Sequence, residues 1–192
     1  MEKNSLISFF LIVVIGALIG LLVQPLLSTL RESFVGFGIV PTFSFRAIVF
    51  IALFLFAPLA LWIASLLAKM WDVLYQFAQF AAVGVLNTMI DFGVLNLLIA
   101  FTGIASGIGF SIFKAISFVF GTTNSFLWNK FWTFQSKEKS TVAQTTKFYT
   151  IAVIGWGANV LAASLVVNGI SRPEAISENL WANIGALAGV GV

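Results

Sequence analysis

FAAVGVLNTMID at residues 80–91 and KAISFVFGTTNSFLWNKFWTF at residues 114–134 decide the fold of this chain. Both segments are largely apolar, and small or polar residues recur in each at intervals of three or four. Because that spacing puts residues on one face of an α-helix, each segment is predicted to be a membrane helix with a polar face. The link between the two segments is short, which predicts an antiparallel helical hairpin.

Two ionisable residues, Asp91 and Lys114, lie deep inside this hairpin. They are nearly equidistant from the link, which centres near Thr102 and Gly103, so an antiparallel arrangement places them at the same depth. An ionisable group in hydrocarbon is costly and often has a partner. We therefore predict that Asp91 and Lys114 pair, either as part of a functional site or as a structural ion pair between packed helices.

The composition is that of a protein embedded almost entirely in a bilayer. Of the 192 residues, 60% are hydrophobic and 9% are charged, whereas a soluble domain carries roughly 25% charged residues. Cysteine and histidine are absent, which excludes disulfides, thiolate metal sites and the commonest proton shuttle. We expect no enzymatic activity and no cofactor. The net charge of +3 suits anionic lipid headgroups better than nucleic acid.

The predicted fold class is all-α, a polytopic helical membrane protein. Spans of the length that a bilayer requires are expected at residues 5–27, 47–67, 77–100, 110–128 and 148–167, with a sixth from residue 180 onward. An interfacial segment rich in charged and aromatic residues, at about 69–75, separates the first two spans from the others. We accordingly predict two domains, an N-terminal two-helix extension at residues 1–75 and a four-helix bundle at residues 76–192.

The four-helix bundle is expected to consist of two parallel helical-hairpin repeats. Asp91 and Asn159 each follow a phenylalanine by eleven positions near the start of an apolar span. Placing Leu187 on Phe118 makes the sixth span a copy of the fourth, and that copy is shorter than a bilayer requires. The last helix is therefore predicted to be truncated. Chance similarity between apolar segments is the alternative explanation.

Basic residues predict the orientation in the membrane. Four lysines, at positions 130, 137, 139 and 147, crowd the segment between the fourth and fifth spans. Since lysine excess marks the cytoplasmic side, this segment and the N-terminus are predicted to be cytoplasmic. Arg172 then falls outside, and so do Arg31 and Arg46, against the general rule. The expected location is the cytoplasmic (inner) membrane.

Residues 80–91 and 124–134 together resemble the GtrA-like family of small four-helix membrane proteins. The resemblance begins at about Gln76, so the first two spans lie outside it. It implies translocation of a polyprenyl-phosphate-linked monosaccharide across the cytoplasmic membrane, for cell-surface polysaccharide synthesis or glycosylation. The implied partners are membrane lipids, a membrane glycosyltransferase and further copies of the chain. A non-transporting adaptor that recruits or stabilises the glycosyltransferase is the alternative function.

The candidate substrate-binding residues belong to the first hairpin. Such a substrate requires a cation for its phosphate, amides and hydroxyls for its sugar, and an apolar groove for its tail. We hypothesise that the phosphate first meets Lys130 and then competes with Asp91 for Lys114. Interhelical hydrogen bonding is the alternative role for Asn124 and for Asn159, which lies outside the candidate set. The candidates are Asn87, Asp91, Lys114, Asn124, Asn129, Lys130 and Trp132.

Overall fold

A computed structural model describes residues 2–67, 73–134 and 142–191 of the chain. Side chains are described for all of these except residues 2–6, 142–145 and 147–149. Within these ranges the chain forms helices and connecting turns, without a strand. Residues 69–72 of the predicted interfacial segment and most of the lysine-rich segment lie outside the described residues, whereas residues 73–75 begin a helix.

Seven α-helices run through the described part of the chain, and all six predicted spans are among them. A π-helical segment extends α5 at Asn129–Thr133, and another extends α6 at Leu165–Gly169. The all-α prediction is therefore confirmed. The helices are α1 Glu2–Thr29, α2 Arg31–Gly36, α3 Phe43–Leu67, α4 Val73–Thr102, α5 Gly107–Trp128, α6 Val142–Ser164 and α7 Glu178–Val190.

Several of these helices have the dimensions of membrane spans, so the protein is a polytopic helical membrane protein. Judged by length and composition, four described segments qualify: Ile7–Thr29, Phe43–Leu67, Val73–Thr102 and Thr150–Gly169. Helix α5 has 22 residues but is less apolar, because it carries polar residues that find partners on α4. Helix α7 has 13 residues, about 20 Å of helix, which is less than the hydrocarbon thickness of about 30 Å.

The two long N-terminal helices share a core with α4. Helix α1 packs along both α3 and α4, and α3 also contacts α4. Glycine permits the close approach of α1 to α3, because a Cβ added to Gly16 would lie 2.5 Å from the carbonyl oxygen of Phe54. The sequence predicts the extension and the bundle as separate domains, but in the structure α1 and α3 pack against α4 of the bundle. The shared core consists of Ile12, Ile15, Ile19, Ala57, Leu61, Val83, Leu86 and Trp132.

Apart from the buried Lys114, the described basic residues lie at the two ends of the molecule. Arg46 donates to the Ser28 hydroxyl at the end of α1 (2.9 Å), and Ser33 in α2 contacts Ser177 at the start of α7 (2.9 Å). Arg31, Arg46 and Arg172 therefore lie at one end, which we call the Arg172 end. Lys130 follows α5 at the opposite end, the Lys130 end. Lys130 and the three arginines thus lie at opposite ends, as predicted, while the placement of the other lysines and the assignment of either end to the cytoplasm stay predictions.

Helices α4–α5 and α6–α7 form two hairpins with equivalent contacts. Asn96 of α4 and Asn183 of α7 exchange two amide hydrogen bonds of 2.8 and 3.0 Å, and Ser111 of α5 contacts Ser164 of α6 at 2.7 Å. Asn96 and Ser164 are related by a shift of 68 residues, and Ser111 and Asn183 by a shift of 72. Placing Leu187 on Phe118 predicted a shift of 69 residues between α5 and α7. The contacts give 72, so the predicted shift is wrong by three residues. The link at 170–177 is longer than the link at 103–106, which accounts for the difference.

A buried hydrogen-bond network at the Arg172 end joins α1, α4 and α7. Asn96 is fully buried at its centre, where its amide oxygen accepts from the Thr29 hydroxyl and from Asn183. Asn179 donates to the backbone carbonyl of Thr29 at 3.1 Å. The network connects the N-terminal extension to both hairpins, and it was not predicted from the sequence.

Replacing the central amide of this network is expected to destabilise the protein. Asn96→Ala removes the donor to the buried amide oxygen of Asn183 and the acceptor that Thr29 and Asn183 share, so the free energy of unfolding should fall by about 1–3 kcal/mol. Unfolding of the purified protein in detergent micelles measures the change. Thr150→Ala is the control, because the exposed Thr150 hydroxyl donates to the carbonyl of Thr146 in its own helix and takes no part in the network. Equal stability of the two variants would contradict the prediction.

Candidate functional site

The buried ion pair predicted from the sequence is present. Lys114 Nζ of α5 contacts Asp91 Oδ2 of α4, and the two side chains are 0% and 7% exposed. The Ser117 hydroxyl, one turn further along α5, donates to Asp91 Oδ1. Both carboxylate oxygens therefore have a partner, as a buried charge requires. Within the described ranges, no three acidic, histidine or cysteine side chains gather to hold a metal ion.

A second polar layer lies closer to the Lys130 end. Asn124 of α5 donates to the amide oxygen of Asn87 on α4 at 2.8 Å and accepts from the indole N–H of Trp128 at 3.0 Å. Gly121 lies between this layer and the ion pair, and a Cβ added to it would lie 3.1 Å from the Asn87 carbonyl oxygen. The glycine thus lets α4 and α5 approach closely enough for both layers to form.

A cavity of about 340 Å³ lies beside these layers, between α4, α5, α6 and the end of α7. Asp91 lines it, whereas Lys114 does not, so the wall presents the carboxylate and keeps the ammonium behind it. The remaining polar wall consists of amides and hydroxyls. Such a wall suits a hydroxyl-rich group better than an anion. Its polar lining residues are Asn87, Thr88, Asp91, Thr122, Ser125 and Asn159.

Two predicted site residues, Asn129 and Lys130, lie in the π-helical segment outside this cavity. Asn129 donates to the Ser125 hydroxyl at 3.2 Å, and its own amide oxygen is buried without a partner. The Lys130 ammonium is half-buried, 5.6 Å from the ring centre of Phe126 and 5.5 Å from that of Phe131. Lys130 is therefore a cation held against aromatic rings at the end of the bundle.

The last predicted site residue, Trp132, packs in the interior. It is 3% exposed and meets Trp128 edge to face at 5.7 Å between ring centres. Its indole N–H donates to the Ser8 hydroxyl of α1 at 3.3 Å. Trp132 therefore connects α1 to the end of α5 by packing and a hydrogen bond, and the Trp132 ring does not line the cavity.

An apolar groove of about 330 Å³ runs along α1, α3 and α4. Small residues line much of it, and Val85 on its α4 side is 51% exposed. Thr88, one turn further along α4, lines the polar cavity. The groove and the cavity therefore lie on adjoining faces of one helix. The alanines of the groove are Ala57, Ala60, Ala64, Ala78, Ala81 and Ala82.

Two cavity residues, Thr122 and Ser125, were not predicted from the sequence. They share a helix face with Phe118 and Gly121 at spacings of three and four, so the signal was present. Hydroxyl residues also face lipid in many membrane helices by bonding their own backbone, which makes that signal weak. For Asn159 the sequence left open a role as donor and acceptor for the sugar and a role in interhelical hydrogen bonding, and the structure places it in the cavity wall on α6.

Comparison with known families explains the arrangement of the second half of the chain. The family described as GtrA/DPMS, transmembrane domain, matches residues 79–192, more than half of the chain. The chain belongs to the GtrA/DPMS family. The resemblance predicted from the two motifs is thereby confirmed. The matched region contains both hairpins and every cavity residue, whereas α1, α2, α3 and the start of α4 precede it.

One curated relative of this GtrA/DPMS-family chain is "Uncharacterized membrane protein YngA" of Bacillus subtilis (strain 168), which is 34% identical over 90 residues. The aligned region covers 47% of the chain and 57% of the relative, so the chain spans little more than half the length of that protein. No solved structure is significantly similar to the chain.

Proposed function

We propose that this GtrA/DPMS-family protein translocates a polyprenyl-phosphate-linked monosaccharide across the cytoplasmic membrane, for cell-surface polysaccharide synthesis or glycosylation. The observation that carries the proposal is the cavity beside the buried Asp91–Lys114 pair, whose wall includes six polar residues. Polar groups at that depth are costly, and they are usually found where a polar ligand or a partner helix meets them. A sugar head group is such a ligand.

The apolar groove supports the same proposal. A polyprenyl tail requires a lipid-open apolar surface close to the site of the head group. The groove supplies that surface, and Val85 and Thr88 bring it within one turn of α4 from the cavity. One molecule can therefore place its tail on the N-terminal side of α4 and its sugar on the other. This assigns α1 and α3, which precede the family match, to binding of the tail.

The phosphate of the substrate requires a cation. Lys114 is fully buried behind Asp91, so a phosphate reaches it only after the carboxylate moves aside. Lys130 is partly buried at the end of the bundle, at the depth that a headgroup phosphate reaches first. We therefore propose that Lys130 binds the phosphate and that the Asp91–Lys114 pair stays intact during transport. This replaces the hypothesis that the phosphate competes with Asp91 for Lys114.

Replacing Lys130 is expected to slow transport. Lys130→Gln removes the charge, and loss of a charge-assisted contact should lower the rate about tenfold or more. Lys130→Arg keeps the charge and should retain most of the activity. Sided transport of a polyprenyl-phosphate hexose into liposomes, with purified protein, measures both. Equal rates for wild type and Lys130→Gln would remove Lys130 from the mechanism.

The same assay tests the function itself. Protein-dependent movement of the lipid-linked sugar is the expected result. No movement, from folded protein that still captures a membrane glycosyltransferase, would replace translocation by the adaptor function. Purification in mild detergent would also show whether the glycosyltransferase or a second copy of the chain accompanies the protein, since both partners belong to the proposal.

A further inference from the structure

Asp91 and Asn159 occupy equivalent positions in the two hairpins. They are separated by the same 68 residues that relate Asn96 to Ser164. Both side chains belong to residues that are 5% exposed, and both line the cavity, from α4 and α6. The repeat therefore brings a carboxylate and an amide to one cavity from two different helices.

The partners of these two residues differ sharply. Asp91 contacts Lys114 and Ser117, whose equivalents at the shift of 72 residues are Ala186 and Gly189. Neither equivalent has a polar side chain to offer Asn159. A Cβ added to Gly189 would lie 3.2 Å from the amide oxygen of Asn159, so the glycine packs directly against that amide.

The amide oxygen of Asn159 is consequently buried without a hydrogen-bond partner. Buried polar groups nearly always have a partner, which is protein, water or a ligand. The helix that faces Asn159 has no side chain that would satisfy this oxygen at the two equivalent positions, while five other polar residues line the cavity beside it. An amide in this situation has hydrogen-bonding capacity to offer to a molecule in the cavity.

We propose that Asn159 is a sugar-binding residue, which recognises the head group of the lipid-linked substrate together with Asp91. The inference rests on the proposed function and names the part of the substrate that the cavity binds. Asp91 accepts hydrogen bonds from hydroxyl groups, and the amide of Asn159 both donates and accepts. Among the described side chains that line the cavity there is one carboxylate and no lysine or arginine, so the proposed head group is an uncharged, hydroxyl-rich sugar and not a uronic acid.

The size of the cavity fits this substrate class. Its volume of about 340 Å³ is at the lower end of the roughly 300–1,000 Å³ that is usual for small-molecule sites. One monosaccharide with a few water molecules suits such a space better than a longer oligosaccharide. The tail and the phosphate remain outside, on the groove and at Lys130.

Binding measurements with two probes separate sugar recognition from the rest of the molecule. The probes are a short-chain polyprenyl-phosphate hexose and the same polyprenyl phosphate without its sugar. Wild type should bind the hexosyl lipid more tightly than the bare lipid. Asn159→Ala should weaken binding of the hexosyl lipid about threefold to tenfold, which is the effect of one hydrogen bond. Its affinity for the bare lipid should be unchanged.

Asn183→Ala is the matched control, because it removes another buried amide that lies in the satisfied network and outside the cavity. It should lower the thermal stability and leave the preference for the hexosyl lipid intact. Asn159→Ala should not lower the stability, since it removes a buried oxygen that has no partner. A loss of stability in Asn159→Ala, with both lipids weakened equally, would show a structural role and overturn the inference.

Accessibility gives an independent test. The natural chain contains no cysteine, so Asn159→Cys in the full chain introduces a single thiol. That thiol should react with a small maleimide and be protected by the hexosyl lipid but not by the bare lipid. A thiol that never reacts would mean that protein fills the cavity, and this would overturn the inference. Equally tight binding of a hexuronosyl lipid would overturn the neutral substrate class.

The inference and the proposed function fail in different ways. If wild type transports the hexosyl lipid but Asn159→Ala keeps the full preference for it, translocation stands and Asn159 is not the recognition residue. If wild type neither transports the hexosyl lipid nor prefers it to the bare lipid, both the translocation function and the sugar site are rejected.

Discussion

Lys114→Met is expected to lower the free energy of unfolding by about 3–5 kcal/mol, the largest effect of any single substitution outside the apolar core. The variant keeps the length of the side chain and removes its charge, so Asp91 is left as an unpaired carboxylate within the bundle. Ser117 still donates to one carboxylate oxygen, but a neutral hydroxyl does not replace the ammonium. Reversible unfolding in mixed micelles measures the loss.

The double variant Asp91→Leu/Lys114→Met serves as the control for this prediction. It removes both charges and leaves an apolar contact, so most of the lost stability should return. Together with the second single variant, Asp91→Leu, these proteins form a double-mutant cycle that gives the coupling energy of the pair. A Lys114→Met protein as stable as wild type would contradict the burial of the pair. A double variant that is stable and transports normally would make the pair purely structural.

Thr122→Trp is expected to reduce transport at least about tenfold while the protein stays folded, because blocked access of a substrate to its productive position has effects of that size or larger. Thr122 lines the cavity from α5, so a tryptophan there occupies the space proposed for the head group. The cavity accepts the added volume without displacing packed side chains. The rate of lipid-linked sugar movement should therefore fall, while the melting temperature should stay close to that of the wild type.

The neighbouring residue supplies a matched control. Thr123 is exposed on the outer face of α5 and does not line the cavity, so Thr123→Trp makes the same chemical change where lipid surrounds the helix. It should transport at close to the wild-type rate. Equal inhibition by both substitutions would indicate a general perturbation of α5, and no inhibition by Thr122→Trp would remove this cavity from the transport path.

The local features of the fold followed from the sequence because they depend on rules that act within one or two segments. Helical periodicity and the length of a bilayer span located the six predicted spans within a few residues, but not the short helix α2 at Arg31–Gly36. The cost of a charge in hydrocarbon predicted the Asp91–Lys114 contact, since a short link leaves only one register for an antiparallel hairpin. The two motifs around Asp91 and Asn124 were sufficient for the family resemblance.

What the sequence by itself determined, then, is the helices, the first hairpin and its ion pair. The tertiary structure decided the rest: the true shift between the second helices of the repeats, the Asn96–Asn183 contact, and the burial of Trp132 against α1. It also decided that Asn159 faces a glycine where Asp91 faces Lys114 and Ser117. The physical reason is that the rotation and depth of each helix depend on side chains far away in the chain. Whether a polar residue meets a partner or an open cavity is settled only when those helices pack.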